Sequence, residues 1–549
     1  MFKQICLVAS GDSRLSANRN CWPAQAALEA TVTRVFTDLG CRVTRGHDVD
    51  SAKGHGFLDS QAAGIAAFRN IDPSIPVVVV EAVWQYTSHV LAGLTRHRAP
   101  ILTLANWSGE WPGLVGMLNL NGSLTKAGIP YSTIWSETFE DAFARRALKQ
   151  WLAEGRIDHD LGHVRPFEPT TWGGDLQIAA ARGAELGREL RDRQAIMGIF
   201  DEGCMGMYNG IIPDELLHAI GVFKERLSQS ALYAAMRQVS DTTARRHLDW
   251  LLARGMTFDL GPNDATDLTE AQVLEGLKMY DAAVRMADAF GCALIGIQYQ
   301  QGLKDVCVAS DLTEGLLNNP DRPPVLGDDG RVLFEGLAVP HFNEVDEGAG
   351  LDALLTSRVW MDAGVDPSTT LHDVRWGAPF TGAGVDEFVW VFEISGAVPT
   401  SHLEGGYAGA RGERQPPMYF PRGGATIKGV SRPGEIVWSR VYVEAGALWM
   451  DIGRGGALRL PADECEKRWK ATTSQWPMMH ASLYGVTRDQ FMAKHKANHV
   501  QVADAPDAAA ARRLLAAKAG MAAELGIRVN VCGDVMDSLE KHQAAEYRT

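Results

Sequence analysis

The sequence predicts an α/β protein: two N-terminal doubly wound α/β domains followed by a C-terminal antiparallel β-rich domain. Three observations carry that expectation. Up to residue 168, short apolar runs alternate with longer amphipathic stretches, the order that builds a parallel sheet covered by helices. The same alternation resumes after a polar, Pro-containing stretch at 157–172 and continues to residue 375. Beyond Phe380 the texture changes to short β-prone segments separated by Gly and Pro turns. The implied division is 1–168, 169–375 and 376–549, the last domain ending in a terminal helix and strand.

In the first unit, residues 4–10, 76–81 and 101–105 read as strands and 23–39 and 137–154 as helices. The first strand runs into Gly11-Asp12-Ser13-Arg14-Leu15-Ser16, which is not G-x-G-x-x-G, so a dinucleotide-binding turn fails at its diagnostic position. In the second unit, helices are expected at 175–193, 216–228, 241–254 and 269–290, strands at 195–200 and 293–298, and a Pro/Asp/Gly-rich loop at 318–330. In the third, strands are expected at 388–394, 426–430, 435–443, 447–451 and 528–532, with an Ala-rich helix at 508–525.

With 549 residues, 46% hydrophobic and 22% charged, the chain can bury large cores and needs neither disulfides nor a metal merely to fold. Its eight cysteines form no C-x-x-C pair, which excludes a zinc ribbon or thioredoxin motif and suits a reducing compartment. A net charge of −14 argues against a nucleic-acid partner, which needs a basic footprint to neutralise phosphates. The most apolar internal run, around 75–83, is far short of the ~20 residues that span a bilayer, and the N-terminus lacks a signal peptide's apolar core and cleavage site. A cytoplasmic enzyme is expected, with neither membrane nor nucleic acid as partner.

Three segments carry chemistry. His341-Phe342-Asn343-Glu344-Val345-Asp346-Glu347-Gly348 places several oxygen donors between a strand end and a helix. Leu371-His372-Asp373-Val374-Arg375-Trp376 sets an acid within an apolar, β-prone stretch. Lys494-His495-Lys496-Ala497-Asn498-His499-Val500 lies where a helix ends and a strand begins. Two carboxylates and an imidazole would make an open site for Mn2+ or another divalent ion. Aldose–ketose isomerisation needs such a set, because carbonyl polarisation must be combined with proton movement between C1 and C2. Each segment also has a plain reading: Glu344 and Asp346 as helix-capping acids, Asp373 and Arg375 as one face of a solvated strand pair, and His495 and His499 as core or surface histidines. Spacing alone does not join the three.

At these residues the chain resembles the L-fucose isomerase family, which includes D-arabinose-isomerising members and is related to L-arabinose isomerases. The likeness is strongest over 342–376 and 476–534, where Gly-Val-Thr-Arg-Asp-Gln-Phe-Met-Ala-Lys-His-Lys-Ala-Asn-His precedes the Ala-rich helix. The resemblance implies two α/β domains and a β-rich C-terminal domain. It also implies a homo-oligomer, typically a hexamer, with the sugar bound between domains and partly by a neighbouring subunit. It makes Glu344, Asp373 and His499 the ligands of Mn2+ or another divalent metal, and Glu344 and Asp373 also the catalytic, proton-transferring pair. Asn498 would contact the sugar; more loosely, Arg14 resembles an arginine of the family's first βα loop and Trp84 a tryptophan lent to a neighbour's pocket, and Met205, Tyr407 and Trp476 would line the pocket, with core packing the alternative for each. Gln298 and Gln300, at a strand end, either bind hydroxyls or cap the strand.

Departures from the family pattern lie in a longer connection around 365–368, in Ser13-Arg14 where Arg-Arg is expected, and in the block 302–324. They leave the sugar open among L-fucose, D-arabinose and related aldoses. Lys304, Arg411, Arg414, Arg422 and Lys428 either read an anionic group on it or are solvated loop charge. Two competing functions remain: a non-catalytic sugar-binding protein on the same scaffold, and a zinc hydrolase using His495 and His499.

Overall fold

The computed structural model describes residues 2–548, with Cys204 and Ala545 described by their backbone alone. In the strand Gln4–Val8, Ile5 and Leu7 point to one face and Cys6 and Val8 to the other, and all four are buried. A strand apolar on both faces must be covered on both. One cover is formed by the helices Leu15–Asp38 and Ala142–Glu154, whose Leu28, Val32, Phe36, Leu148 and Trp151 share a core with Ile5 and Leu7. The other is formed by Gln61–Asn70, Ser88–Leu94 and Gly113–Lys126, whose Ala67, Val90, Leu94, Leu120 and Leu124 meet Cys6 and Val8. The sheet between them is parallel and five-stranded, in the order Arg42–Arg45, Gln4–Val8, Val77–Glu81, Ile101–Asn106, Ser132–Ser136. Strand order reverses between Gln4–Val8 and Val77–Glu81, and that switch point opens a crevice at the carboxyl edge of the sheet.

A second, three-stranded parallel sheet runs Cys292–Ile297, Ala195–Phe200, Val222–Leu227. A parallel bridge from Ile295 to His341 extends it. The helix expected over 216–228 is corrected here: a short helix Asp214–His218 ends at Gly221 (φ +82°), and Val222–Leu227 is an edge strand. Its charged centre, Lys224-Glu225-Arg226, suggests a helix face, but Lys224 turns inward onto the buried Glu347 at 2.7 Å, as edge strands tolerate.

The third element is an eight-stranded sheet in the order Gly434–Glu444, His499–Ala505, Thr370–Gly382, Val385–Glu393, Met478–Leu483, Ala447–Ala457, Arg528–Cys532, Val164–Pro166. It closes into a barrel where Ala447–Ala457 pairs back, antiparallel, with Gly434–Glu444. Closure satisfies strand edges without covering them. Arg528–Cys532 joins Ala447–Ala457 in parallel from outside, and Val164–Pro166 extends it. The strand Thr370–Gly382, which carries Asp373, belongs to this sheet, so the expected break after residue 375 falls inside a strand. Residues 426–430 contribute isolated bridges rather than the expected strand.

The Ala-rich helix Ala508–Glu524 lies along Asp175–Arg193. A Cβ at Gly183 or Gly520 would strike the facing helix's backbone, which explains the small residues there. The chain is thus α/β, with parallel sheets and helices. Among the described residues no helix is long and apolar enough to cross a membrane.

Candidate functional site

The carboxyl edges of both parallel sheets meet the barrel at one cleft. The cleft holds about 430 Å³ of non-atom space, counting the space open to solvent at its mouth. Arg14, Trp84 and Pro112 come from loops after strands of the first sheet. Met205, Gln300 and Glu344 follow strands or the bridge of the second. Asp373, Ser395, Tyr419, Phe420 and Trp476 come from the barrel and its connections.

Glu344 sits on the single turn Asn343–Val345, with φ of +60° at Glu344 and +53° at Val345. Two successive non-glycine residues with positive φ, one of them β-branched, form a strained backbone, which persists only where neighbours over-determine it. Asp346 does so from the far side: it caps the helix Glu347–Asp362 by accepting from Ala349 N at 3.1 Å. The turn therefore sends Glu344 forward into the cleft and Asp346 back into the protein. Capping belongs to Asp346 alone, and Glu344 has no part in it.

Burial pushes the Glu344 carboxyl up to about 7, with Asp373 adding to the rise and His499 and Arg14 working against it. Gln300 Nε2 stands 3.4 Å from Glu344 Oε1. Asp373 lies directly across from His499 in the strand pairing. Burial also raises the Asp373 carboxyl, against the pull of His499 and Arg375. Arg375 is not on a solvated face: it is 1% exposed, donates to Gly109 O (2.6 Å) and Thr473 Oγ1 (2.9 Å), and lies 5.5 Å over the Trp476 ring.

His499 links the two acids. Its Nδ1–H donates to Asp346 Oδ2 at 2.7 Å, and Asp346 in turn accepts from Arg440 Nη1 (2.7 Å) and Nη2 (2.9 Å). Its Nε2 faces Asp373 Oδ1 at 3.4 Å and Glu344 Oε2 at 3.6 Å. Burial alone would lower the His499 pKa, but Asp346, Asp373 and Glu344 together raise it above the ordinary value. His495 takes no part: its Nε2–H donates to the His499 carbonyl at 2.9 Å, its ring stacks on Phe491, and burial drives its pKa down to about 3.

Among the described residues no group of three or more His, Cys, Asp or Glu side chains is gathered as a metal cluster. The fit of a metal therefore rests on the chemistry of the donor set. Two ligand atoms each about 2.1 Å from one divalent ion stand roughly 3.0–3.5 Å apart, depending on bond angle. Of the separations from Nε2, 3.4 Å to Asp373 lies at the wide end of that spacing and 3.6 Å to Glu344 just beyond it. The imidazole's other nitrogen is held by a carboxylate, the usual outer support of a metal-binding histidine. Gln300 Oε1 and Trp84 Nε1, buried atoms of two residues that line the cleft, have no protein hydrogen-bond partner.

Of the residues expected from sequence, Arg14, Trp84, Met205, Gln300, Glu344, Asp373 and Trp476 line the cleft, and His499 closes it from behind the two acids. Trp84 lines the cleft of its own chain. Asn498 is fully buried, beside Asp373 and against Met207 Sδ at 3.1 Å, so it backs the site without lining it. Tyr407 lies elsewhere: its hydroxyl donates to Asp321 O at 2.7 Å and its ring meets Trp250 edge-on. Its expected place is taken by Tyr419, whose ring lies 4.8 Å from the Arg14 guanidinium. Gln298 caps its strand, accepting from Gln229 Nε2 and Gln301 N.

Sequence reading missed Pro112, Ser395, Tyr419 and Phe420. Only Tyr419-Phe420 carried a signal, as an aromatic pair set between prolines in a loop. The basic loop residues are otherwise engaged: Lys304 with Asp305, Arg411 with Asp259, Lys428 with Glu413, and Arg414 and Arg422 with backbone carbonyls.

The fold and cleft define a class of site: two buried carboxylates and an imidazole at the junction of two parallel sheets and a barrel. Comparison with protein-family models and with curated proteins gave no match for the chain.

Proposed function

We propose that the protein is a metal-dependent aldose–ketose isomerase acting on a free sugar, L-fucose, D-arabinose or a related aldose, through an enediol. One observation carries the reading: Glu344 and Asp373 flank the Nε2 of a single histidine in a cleft walled by aromatic rings. Aromatic faces suit the apolar side of a sugar, and the unpartnered Gln300 Oε1 and Trp84 Nε1 suit its hydroxyls. The orientation of His495 away from the acids disfavours the zinc-hydrolase alternative. Two carboxylates raised by burial are more than a passive sugar binder requires.

Glu344, Asp373 and His499 would hold Mn2+ or another divalent ion, which supplies polarisation of the carbonyl and the adjacent hydroxyl. The protein's own groups then move protons. A buried carboxylate held beside the reacting carbons can take a proton and return it. One of the pair removes the C2 proton of the open-chain aldose, the C–H electrons form the C1–C2 double bond, and the O1 oxygen is protonated. Loss of the O2 proton and delivery of a proton to C1 then give the ketose. Arg14, fixed by Asp12 and stacked on Tyr419, and Trp476, whose Nε1 donates to Gln415 at 2.8 Å, orient the chain of hydroxyls. The proposal includes a three-domain organisation whose last boundary precedes the strand Thr370–Gly382, a homo-oligomer of hexameric type, and a cytoplasmic setting.

Turnover in D2O tests the mechanism. Solvent deuterium at C1 of the ketose is expected, whereas turnover without incorporation contradicts proton transfer by the carboxylates.

A further inference from the structure

Asp346 makes contacts that a helix cap does not need. It holds Arg440 through both guanidinium nitrogens and His499 through Nδ1, while its backbone closes the strained turn that carries Glu344. All three side chains are at most 1% exposed. The approach of Arg440 is built in: a Cβ on Gly348 would stand 2.9 Å from Arg440 Nη2 and 2.7 Å from Val441 O, so glycine leaves the room the guanidinium uses.

Asp346 accepts on one oxygen from Ala349 N and Arg440 Nη2, and on the other from Arg440 Nη1 and His499. A carboxylate so held cannot rotate. The His499 ring is thereby fixed with Nδ1–H inward and Nε2 outward, between Glu344 and Asp373.

We infer that Asp346, anchored by Arg440, is the positioning residue of this site: it fixes the His499 ring and the Glu344 turn in one register so that Nε2 and the two carboxylates converge. This rests on the metal-site reading above but adds two residues that touch neither cleft nor substrate. The physical logic is that of outer-shell support, whose loss typically weakens metal binding about 10–100-fold while the ligands themselves remain. Burial and charge also explain why one carboxylate serves three partners: an Arg440 left unpaired at this depth is costly.

The test uses the full chain and Mn2+ alone as probe. Free Mn2+ is measured by electron paramagnetic resonance against the parent, Asp346→Asn, and the double variant Asp346→Asn/Arg440→Met. The double variant removes the buried cation with its partner, so folding survives where the single variant fails. Mn2+ affinity is expected to fall about 10–100-fold in each folded variant. Parent-like binding by either folded variant overturns the inference.

A second readout is independent of metal. In protein labelled with [15N]histidine, His499 (assigned by His499→Gln) should show Nδ1 protonated and hydrogen-bonded, and Asp346→Asn should abolish that signature. An unchanged His499 signature overturns the positioning role alone. A parent that binds no Mn2+ yet loses the signature in Asp346→Asn overturns the metal reading and leaves the positioning role standing.

Discussion

His499 and His542 both stand between carboxylates, and the difference between them separates a site from a clamp. His542 donates from Nδ1 to Glu387 at 3.1 Å and from Nε2 to Asp537 at 2.9 Å, and it stacks on Tyr484. Both of its donors are used and the cluster is closed. His499 uses Nδ1 on Asp346, but its Nε2 faces two acids at 3.4 and 3.6 Å and bonds to neither. The same residue types thus make a finished ion-pair cluster at the C-terminus and an open one in the cleft. Convergence without pairing is what a structural cluster avoids and a ligand site requires.

The largest effect should come from breaking the open cluster at Glu344. Glu344→Gln is expected to lower kcat by about 10³-fold or more, since general acid–base groups contribute on that scale, with the thermal unfolding transition unchanged. A folded variant with parental kcat removes Glu344 from the proton-transfer role. Next, His499→Ala should weaken Mn2+ binding by about 100-fold, measured by titration calorimetry. The matching change at His495 should leave Mn2+ affinity unaltered, because its ring is engaged by a backbone carbonyl.

The closed cluster should answer in stability rather than activity. Although burial opposes it, hydrogen bonds and charge from Glu387 and Asp537 raise the His542 pKa from 6.5 to about 9. A folded-state pKa above the unfolded one stabilises fully below pH 6.5, and that contribution is lost as pH rises through about 9. Stability of the parent should therefore fall by about 2 kcal/mol more than that of His542→Gln between pH 6 and 10, discounted for partial exposure. Parallel pH profiles for the two proteins would show that the clamp carries no such load. The smallest contrast is between tyrosines. Tyr419→Ala should raise KM about tenfold through lost stacking, whereas Tyr407→Phe should leave KM unchanged and cost about 1 kcal/mol of stability through one hydrogen bond.

Apolar periodicity made most of the architecture legible. Runs such as Val77–Glu81 can only be doubly covered strands, and the glycine-punctuated β texture of the last third becomes the barrel. The Val222–Leu227 strand was hidden because its centre carries three charges, and Glu347, onto which Lys224 turns inward, lies far along the chain. Barrel closure was equally invisible: Gly434–Glu444 and Ala447–Ala457 form a local hairpin, and the ring is completed by the long-range pairing of Gly434–Glu444 with His499–Ala505.

At the site, Glu344, Asp373 and His499 were found through motif likeness, and only the fold brings them together. Asp346 reads in sequence as an ordinary cap, and it is one; its other two partners, Arg440 and His499, lie 94 and 153 residues away. Tyr407 and Tyr419 both precede or follow glycine- and proline-rich turns, and only tertiary placement tells which faces the cleft.

The most direct test of the central claim is ketose formation by chelator-stripped protein, with and without added Mn2+, across aldopentoses, aldohexoses and 6-deoxyhexoses that include L-fucose and D-arabinose. The account predicts turnover of at least one neutral aldose that appears with Mn2+ and disappears with chelator. Folded protein that binds Mn2+ and converts none of them, or that turns one over equally well without metal, would contradict it.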